Sequence, residues 1–211
     1  MSDLKNIRTD YQVGSLNDND LTNSPIDFFQ SWMDKAVKLV KKDANAFVLS
    51  TINKNGFPCS RVVLLRGIDN GSFCFFTNYT SNKASEIELN NRVAMNFFWP
   101  ELERQVRIQG TIKRCSANFS DDYFKSRPYS SKIGAWASDQ SSIIQTREEL
   151  EDKVLFYEKK FPDNVPRPDF WGGYKITPEL IEFWQGRSNR LHDRFVYNLD
   201  KKDWKIDRLS P

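Results

Sequence analysis

Between residues 46 and 77 three apolar, β-branched runs follow one another at hairpin distance, and this spacing constrains the fold more than any other feature. Ala46–Ile52 closes on the turn sequence Asn53-Lys54-Asn55-Gly56, the run 57–66 closes on Gly67-Ile68-Asp69-Asn70-Gly71, and Ser72–Thr77 follows. Parallel neighbours need a crossover of a dozen or more residues, so connections this short demand antiparallel pairing. Further strand patterns occur at Val93–Trp99, Arg104–Cys115, Tyr174–Ile176, Leu180–Trp184, Phe195–Leu199 and Trp204–Leu209.

Helical patterns fall between groups of strands. Ser24-Pro25-Ile26-Asp27 has the form of a capped start, and Ile26, Phe29, Met33, Ala36, Val37 and Val40 recur at helical spacing. Residues 81–90 predict a short helix, Ser116 caps another through about Lys125 that stops at Pro128, and Thr146–Phe161 predicts a charged amphipathic one. This arrangement predicts an α+β fold, mainly β: an antiparallel barrel with peripheral helices, not a doubly wound sheet. Residues 1–23 lack a period and read as an N-terminal arm; residues 24–211 read as one domain.

Composition serves chiefly to exclude. The one histidine, His192, cannot supply an H-E-x-x-H zinc site, and Cys59, Cys74 and Cys115 have neither zinc-ligand nor C-x-x-C spacing. Three unpaired thiols, a polar N-terminus without an apolar signal core, and no apolar run of membrane-spanning length lead to the expectation of a cytoplasmic protein with no membrane partner. Lys+Arg 31 against Asp+Glu 28 gives a net charge of +3, with neither half strongly basic, so no nucleic-acid partner is expected. No dinucleotide fingerprint, P-loop or G-x-S-x-G elbow is present. A bound phosphate must therefore be held by side chains.

Three segments offer such side chains. Phe183-Trp184-Gln185-Gly186-Arg187-Ser188-Asn189-Arg190-Leu191-His192-Asp193-Arg194-Phe195 gathers arginines and the only histidine beside a tryptophan. Strand alternation would place Arg190, His192 and Arg194 on one face. Clustered guanidiniums repel unless an anion or carboxylate sits among them. Tyr123 and Arg127, four apart on a helix, and Ser131 beyond Pro128 could hold a phosphate monoester, though an exposed helix end has the same composition. Arg61 and Arg66 bracket four apolar residues on a strand, which suits a flat ligand with an anionic tail or simply a core strand with charged ends. Lys83 could add charge at a helix start, and Gln105 a ring-edge hydrogen bond.

Taken together, Arg61-Val62-Val63-Leu64-Leu65-Arg66, Phe76-Thr77-Asn78, Glu103-Arg104-Gln105-Val106, Tyr123-Phe124-Lys125-Ser126-Arg127-Pro128, Ile133-Gly134-Ala135-Trp136, Gln140-Ser141-Ser142, Phe170-Trp171-Gly172-Gly173, Ile181-Glu182-Phe183-Trp184-Gln185-Gly186, Arg190-Leu191-His192-Asp193-Arg194-Phe195 and Trp204-Lys205-Ile206-Asp207-Arg208-Leu209 resemble the pyridoxine (pyridoxamine) 5′-phosphate oxidases, in family order over nearly the whole chain. The resemblance implies an FMN-binding split β-barrel and a homodimer with FMN at the subunit interface. It implies that Arg61, Val62, Val63, Leu64, Leu65, Arg66, Phe76, Thr77, Asn82, Lys83, Gln105, Gln140, Ser141, Trp184 and Arg194 line the cofactor. Arg66, Tyr123, Arg127 and Ser131 would hold the substrate phosphate. Arg190, Leu191 and His192 would cover the pyridine ring, with Arg190 and His192 in the catalytic role. Arg8 and Tyr11 match an arm that resembles a lid.

The activity so implied is oxidation of pyridoxine 5′-phosphate or pyridoxamine 5′-phosphate by hydride transfer to flavin, with dioxygen giving hydrogen peroxide. No metal is implied. Two positions depart from the family pattern. Residue 66 is Arg where Lys is common, which alters the geometry of a phosphate contact, and residue 82 is Asn where an Arg commonly precedes the lysine. Competing readings are a split-barrel flavin oxidoreductase with another substrate and a non-catalytic flavin or pyridoxal-phosphate binding protein.

Overall fold

The computed structural model describes residues 3–6 and 9–211, so Arg8 of the expected lid lies outside the described residues. Nine strands form one antiparallel sheet. In chain order they are β1 (Ala46–Ile52), β2 (Pro58–Leu64), β3 (Gly67–Asp69), β4 (Ser72–Asn78), β5 (Arg92–Trp99), β6 (Arg104–Arg114), β7 (Trp171–Gln185), β8 (Asp193–Asp200) and β9 (Asp203–Leu209). Five helices accompany them: α1 (Pro25–Leu39), α2 (Asn82–Leu89), α3 (Ala117–Ser126), α4 (Tyr129–Ala137) and α5 (Arg147–Lys160). The mainly β, antiparallel expectation holds.

The strand order β2-β1-β5-β6-β7-β4-β3 turns on β7. One edge of β7 pairs with β6 along its length, while the other is shared: residues 171–176 pair with β4 and residues 180–185 with β8. This corrects the expectation of two strands at 174–176 and 180–184. Pro178 carries no N–H, but it falls where β7 exchanges β4 for β8, so no ladder bond is lost there. Opposite it the register with β6 shifts between Gln109 and Gly110. A Cβ at Gly110 would stand 2.1 Å from the Thr177 carbonyl oxygen, so only glycine permits this close approach.

The core lies between the inner face of the sheet and α1. Ser24 accepts a hydrogen bond from Asp27 N and Pro25 occupies the first turn, as expected. The buried stripe is rotated from the expected one: Phe28, Phe29, Trp32 and Ala36 are buried, whereas Val37 is 63% exposed. Phe29 meets Phe73 and Phe97 at centroid distances of 4.9 and 5.1 Å, and Phe28 meets Phe183 at 4.6 Å. A second cluster of Phe124, Ile133, Ala135, Val165 and Trp171 carries α3 and α4 on the sheet end.

Other elements also differ from expectation. Gly67–Asp69 is a short strand pairing with β4 rather than only a turn. Helix α4 had no counterpart in the sequence pattern, because Pro128 reads as a stop yet here precedes the first residue of a new helix. The described arm residues 9–23 are docked: Leu16 is 2% exposed, Val13 N donates to Glu103 Oε2 (2.8 Å), Leu16 N donates to Asp193 Oδ2 (3.0 Å), and the Tyr197 hydroxyl donates to Thr22 O (2.9 Å). No described helix is long and apolar enough to cross a membrane.

Candidate active site

Two clefts receive the residues singled out above. The first, about 450 Å³, runs along β2 and the start of α2 and is lined by Arg61, Val62, Val63, Leu64, Arg66, Phe76, Thr77, Lys83, Tyr123, Arg127, Gln140, Ser141 and Trp171. An adjoining hollow shares Phe76, Thr77, Arg127, Gln140 and Trp171 and adds Ser131. Of the Arg61–Arg66 run, Leu65 is the exception: it is 7% exposed and packs into the core. It lies one residue past the end of β2, where its backbone N–H donates to Asn45 O (2.8 Å).

The end of this cleft beside α2 is built on Lys83. Its ammonium donates to Thr77 Oγ1 (3.1 Å), Ser81 Oγ (3.1 Å) and Gln140 Oε1 (2.9 Å), and Thr77 Oγ1 also donates to Gln140 Oε1 (2.9 Å). Burial, with the nearby Arg61 charge adding to it and Glu86 opposing, pushes the Lys83 pKa down to about 8. The Asn82 side chain is exposed; its backbone N–H donates to Ser141 Oγ (3.3 Å). Ser141 holds that position with φ of 77°, a left-handed conformation costly for a residue with a Cβ.

The other end is aromatic and cationic. Phe76 stacks on Tyr123 with centroids 3.8 Å apart and planes 11° from parallel, and Trp171 continues the same orientation. The Arg127 guanidinium lies 4.5 Å from the Trp171 ring centroid. Its Nη1 is buried without a hydrogen-bond partner. Burial depresses the Arg127 pKa; Tyr123 opposes this and the charge of Arg66, which lines the same cleft, adds to it. Arg127 is not on the α3 helix face, as its four-residue spacing from Tyr123 suggested. It is the extended C-cap residue, and the cleft brings the two together instead. Among the described residues, Arg66 and Arg127 have no carboxylate ion-pair partner.

Of the remaining residues, Tyr11, Trp184, Arg190 and His192 lie in a second cleft of about 830 Å³, which Thr9, Asp10, Arg187 and Asn189 also line, whereas Gln105 and Arg194 line neither cleft. Leu191 is 68% exposed beside it. Cross-strand pairing aligns Gln105 with Trp184 and Trp184 with Arg194, so these three share the outer sheet face and do not line the first cleft. Arg190 is not in a strand, contrary to the alternation argument. It ends the single turn Ser188–Arg190, with Asn189 and Arg190 at φ of 56° and 63°.

Carboxylates interleave the arginines here. Glu182, 5% exposed, accepts from Arg194 Nε and Arg107 Nη1 (2.9 Å each), and Asp193 accepts from Arg187 Nη1 (2.9 Å). Gly186 leaves room for Tyr11, whose Cγ would be 2.8 Å from a Cβ placed there. Tyr11 in turn meets Trp184 and His192 edge-on, each with centroids 5.7 Å apart. His192 Nδ1 accepts from the Arg187 backbone N–H (3.1 Å). Burial, then the charge of Arg190, lowers the His192 pKa, with Asp193 opposing, so the imidazole is neutral at pH 7. With Nδ1 accepting, the ring proton resides on Nε2.

Sequence reasoning missed Trp171, Glu86, Glu182 and Arg187. Trp171, Glu182 and Arg187 stood in quoted segments without a role of their own, although Arg187 lines the second cleft and its backbone N–H reaches His192; Glu86 bears on the site only through its distant partner Arg61. The described residues contain no cluster of side chains suited to a metal.

Comparison with known proteins follows the same division. Residues 33–158 match the family described as pyridoxamine 5′-phosphate oxidase, and residues 171–211 match the pyridoxine 5′-phosphate oxidase C-terminal dimerisation region. A pyridoxine/pyridoxamine 5′-phosphate oxidase of Cytophaga hutchinsonii is 51% identical, over 100% of this chain and 99% of the relative. One from Neisseria gonorrhoeae is 48% identical over 99% of this chain and 100% of the relative. Among solved structures, PhzG from Burkholderia lata 383, crystallised with tetrahydrophenazine-1-carboxylic acid, superposes with a TM-score of 0.89 at 28% identity, covering 94% of this chain and 99% of that one. A pyridoxamine 5′-phosphate oxidase-related, FMN-binding protein of Nostoc punctiforme shares the fold with a TM-score of 0.73 at 16% identity, covering 89% of this chain and 98% of that one.

Proposed function

The chain belongs to the pyridoxamine 5′-phosphate oxidase family of oxidoreductases, and from that premise we propose that it converts pyridoxine 5′-phosphate and pyridoxamine 5′-phosphate to pyridoxal 5′-phosphate, with FMN as cofactor and dioxygen as acceptor. The observation that carries this reading is the presence of two cationic ends in one cleft. Arg61 and Lys83 suit the phosphate of the cofactor; Arg66 and Arg127, with Tyr123 and Ser131, suit that of the substrate. The fit rests on the orphaned Arg127 Nη1: a buried guanidinium N–H without an acceptor is costly, and a phosphate oxygen relieves that cost. Bound FMN would supply the redox chemistry, accepting a hydride from the exocyclic carbon as the hydroxyl or amine gives up a proton, with dioxygen taking the electrons as hydrogen peroxide; the imine from the amine substrate would be hydrolysed by water with loss of ammonia.

The protein's own part is position and field. The phosphate clamp is remote from the reacting carbon, so its binding energy serves to orient the substrate. Neutral His192 presents an Nε2–H, which makes it a hydrogen-bond donor to the pyridine ring system rather than a base at that atom. Arg190 lines the same cleft and would hold the ring through hydrogen bonds to its polar substituents. Tyr11, seated on Gly186, closes the same cleft.

A homodimer reconciles the two clefts. Trp184, Arg190, His192 and Arg194 all fall in the segment matching the dimerisation region, while the phosphate-binding side chains lie before it. In this reading a partner copy brings its second cleft against the first cleft of its mate, and the assembled site holds FMN between subunits. Protein reconstituted with FMN should lose its yellow colour on anaerobic addition of pyridoxine 5′-phosphate. That anaerobic step should form one pyridoxal 5′-phosphate per flavin, and readmitted oxygen should restore the colour with one peroxide formed for each. A fully loaded flavin that stays oxidised would refute the oxidase reading and favour a non-catalytic binding protein.

A further inference from the structure

Arg61 is not free to give its whole charge to a ligand. Its Nη2 lies 2.8 Å from Glu86 Oε2, and Nη1 donates to Thr51 Oγ1, whose hydroxyl in turn donates to the same carboxylate oxygen. Glu86 projects from α2 three residues beyond Lys83 and is 9% exposed. Burial pushes its pKa up, but the hydrogen bonds from Thr51 and Arg61 and the guanidinium charge outweigh this, so the carboxylate is ionised at neutral pH. The α2 end of the cleft therefore carries two cations, Arg61 and Lys83, and one anion. The other end carries Arg66 and Arg127 with no carboxylate partner among the described residues. Residue 82, at the first position of α2, is a neutral Asn and does not restore the missing charge.

We propose that Glu86 is a specificity-determining residue: a built-in counter-charge that weakens the hold of the α2 end on a flavin phosphate and narrows the preference for FMN over riboflavin. This rests on the FMN reading above. A phosphate beside Lys83 and Arg61 carries nearly two negative charges and lies within a Debye length of the Glu86 carboxylate. The cleft walls screen this repulsion less than bulk water does. A role in positioning Arg61 predicts the opposite sign, because loss of the carboxylate would then free the guanidinium and weaken binding.

The test is a titration of the full-length apoprotein with FMN and with riboflavin, which has the same ring and no phosphate. Glu86→Gln keeps the shape and a hydrogen-bond acceptor for Arg61; it should bind FMN about tenfold more tightly and riboflavin unchanged. Arg61→Gln and the double variant Arg61→Gln/Glu86→Gln complete a cycle, and the double variant leaves no unpaired buried charge to compromise folding. If Glu86 acts by charge, Glu86→Gln tightens FMN even in the Arg61→Gln background. Weaker FMN binding by Glu86→Gln, an equal change for both flavins, or no effect once Arg61 is absent would each overturn the inference. Wild-type protein that binds neither flavin overturns the cofactor reading and this inference with it.

Discussion

Lys83 offers a prediction whose sign differs between the free and the cofactor-bound protein. Its pKa in the fold is about 8 against an ordinary 10.5, because burial disfavours the ammonium and Arg61 repels it. Between these two values the unfolded chain holds a proton that the folded one has released, so stability rises with pH. The apoprotein should gain stability from pH 8 towards 10.5. The full shift corresponds to about 3 kcal/mol, and water reaching the cleft reduces this to about 2 kcal/mol. A bound phosphate reverses the preference, because it raises the Lys83 pKa back towards its ordinary value. FMN affinity should change by no more than about twofold from pH 7 to 8, where the lysine is still mostly charged. Above that it should fall by up to about tenfold per pH unit as the free protein loses the proton that the complex keeps.

Fluorescence quenching of FMN by apoprotein, measured at half-unit steps from pH 7 to 9.5, reads this slope directly. Riboflavin controls for titration of the ring and should show no comparable loss. Lys83→Met should bind FMN weakly at pH 7 and lose the slope, while its apoprotein should be more stable than wild type at pH 7. An FMN dissociation constant that does not change between pH 7 and 9.5, or a slope that survives Lys83→Met, would refute the assignment of Lys83 to the phosphate end.

Three further outcomes are expected. Arg127→Ala should raise the KM for both phosphorylated vitamers by about 10²-fold, as loss of a charge-assisted contact of roughly 3 kcal/mol requires, with kcat changed little; an unchanged KM removes Arg127 from the clamp. His192→Gln, which retains an N–H near the Nε2 position, should keep clearly more turnover than His192→Ala, whereas equal losses would point to proton abstraction; wild-type activity should also fall in acid, below the ordinary imidazole range, as protonation of Nδ1 breaks its bond from the Arg187 N–H. Gly110→Ala, which lines neither cleft, should destabilise the fold by about 3 kcal/mol or more, read as a lowered Tm, since its Cβ meets a backbone oxygen that cannot yield.

The strands around 46–77 and the cations of the site are legible because each depends on a few consecutive residues. A turn sequence between apolar runs determines a hairpin locally, and Arg61, Lys83, Tyr123 and Arg127 sit in short motifs. Elements that depend on distant partners escape the same reading. Pro178 looks like the end of one strand and the start of another, yet β7 runs through it because β4 ends and β8 begins at that point. Alternation places Arg190 on a strand face, but two left-handed residues turn the chain before β8 starts. Pro128 serves as an N-cap for α4 as readily as a stop for α3.

The carboxylates that decide what the cations can do are the least legible of all. Arg61 and Glu86 are 25 positions apart, and Arg107 and Glu182 are 75 apart. Strand register brings the second pair together, and the seat of α2 against β1 and β2 the first; neither pairing leaves a local trace. The motif that names Arg61 therefore counts a charge that Glu86 has already offset, and the arginine-rich C-terminal motif counts charges that Glu182 and Asp193 offset. Arg66, Arg127 and Arg190, without carboxylate partners among the described residues, remain as the guanidiniums with charge to give. Two of these three line the proposed substrate-phosphate end and the third the ring cleft, so the substrate phosphate meets two unopposed guanidiniums while the cofactor phosphate meets Lys83 and a compensated Arg61–Glu86 pair. That asymmetry predicts that salt weakens substrate binding more than flavin binding, because more net charge is screened at the substrate end, whereas high pH releases the flavin first as Lys83 loses its proton. Paired FMN and vitamer titrations across ionic strength measure it.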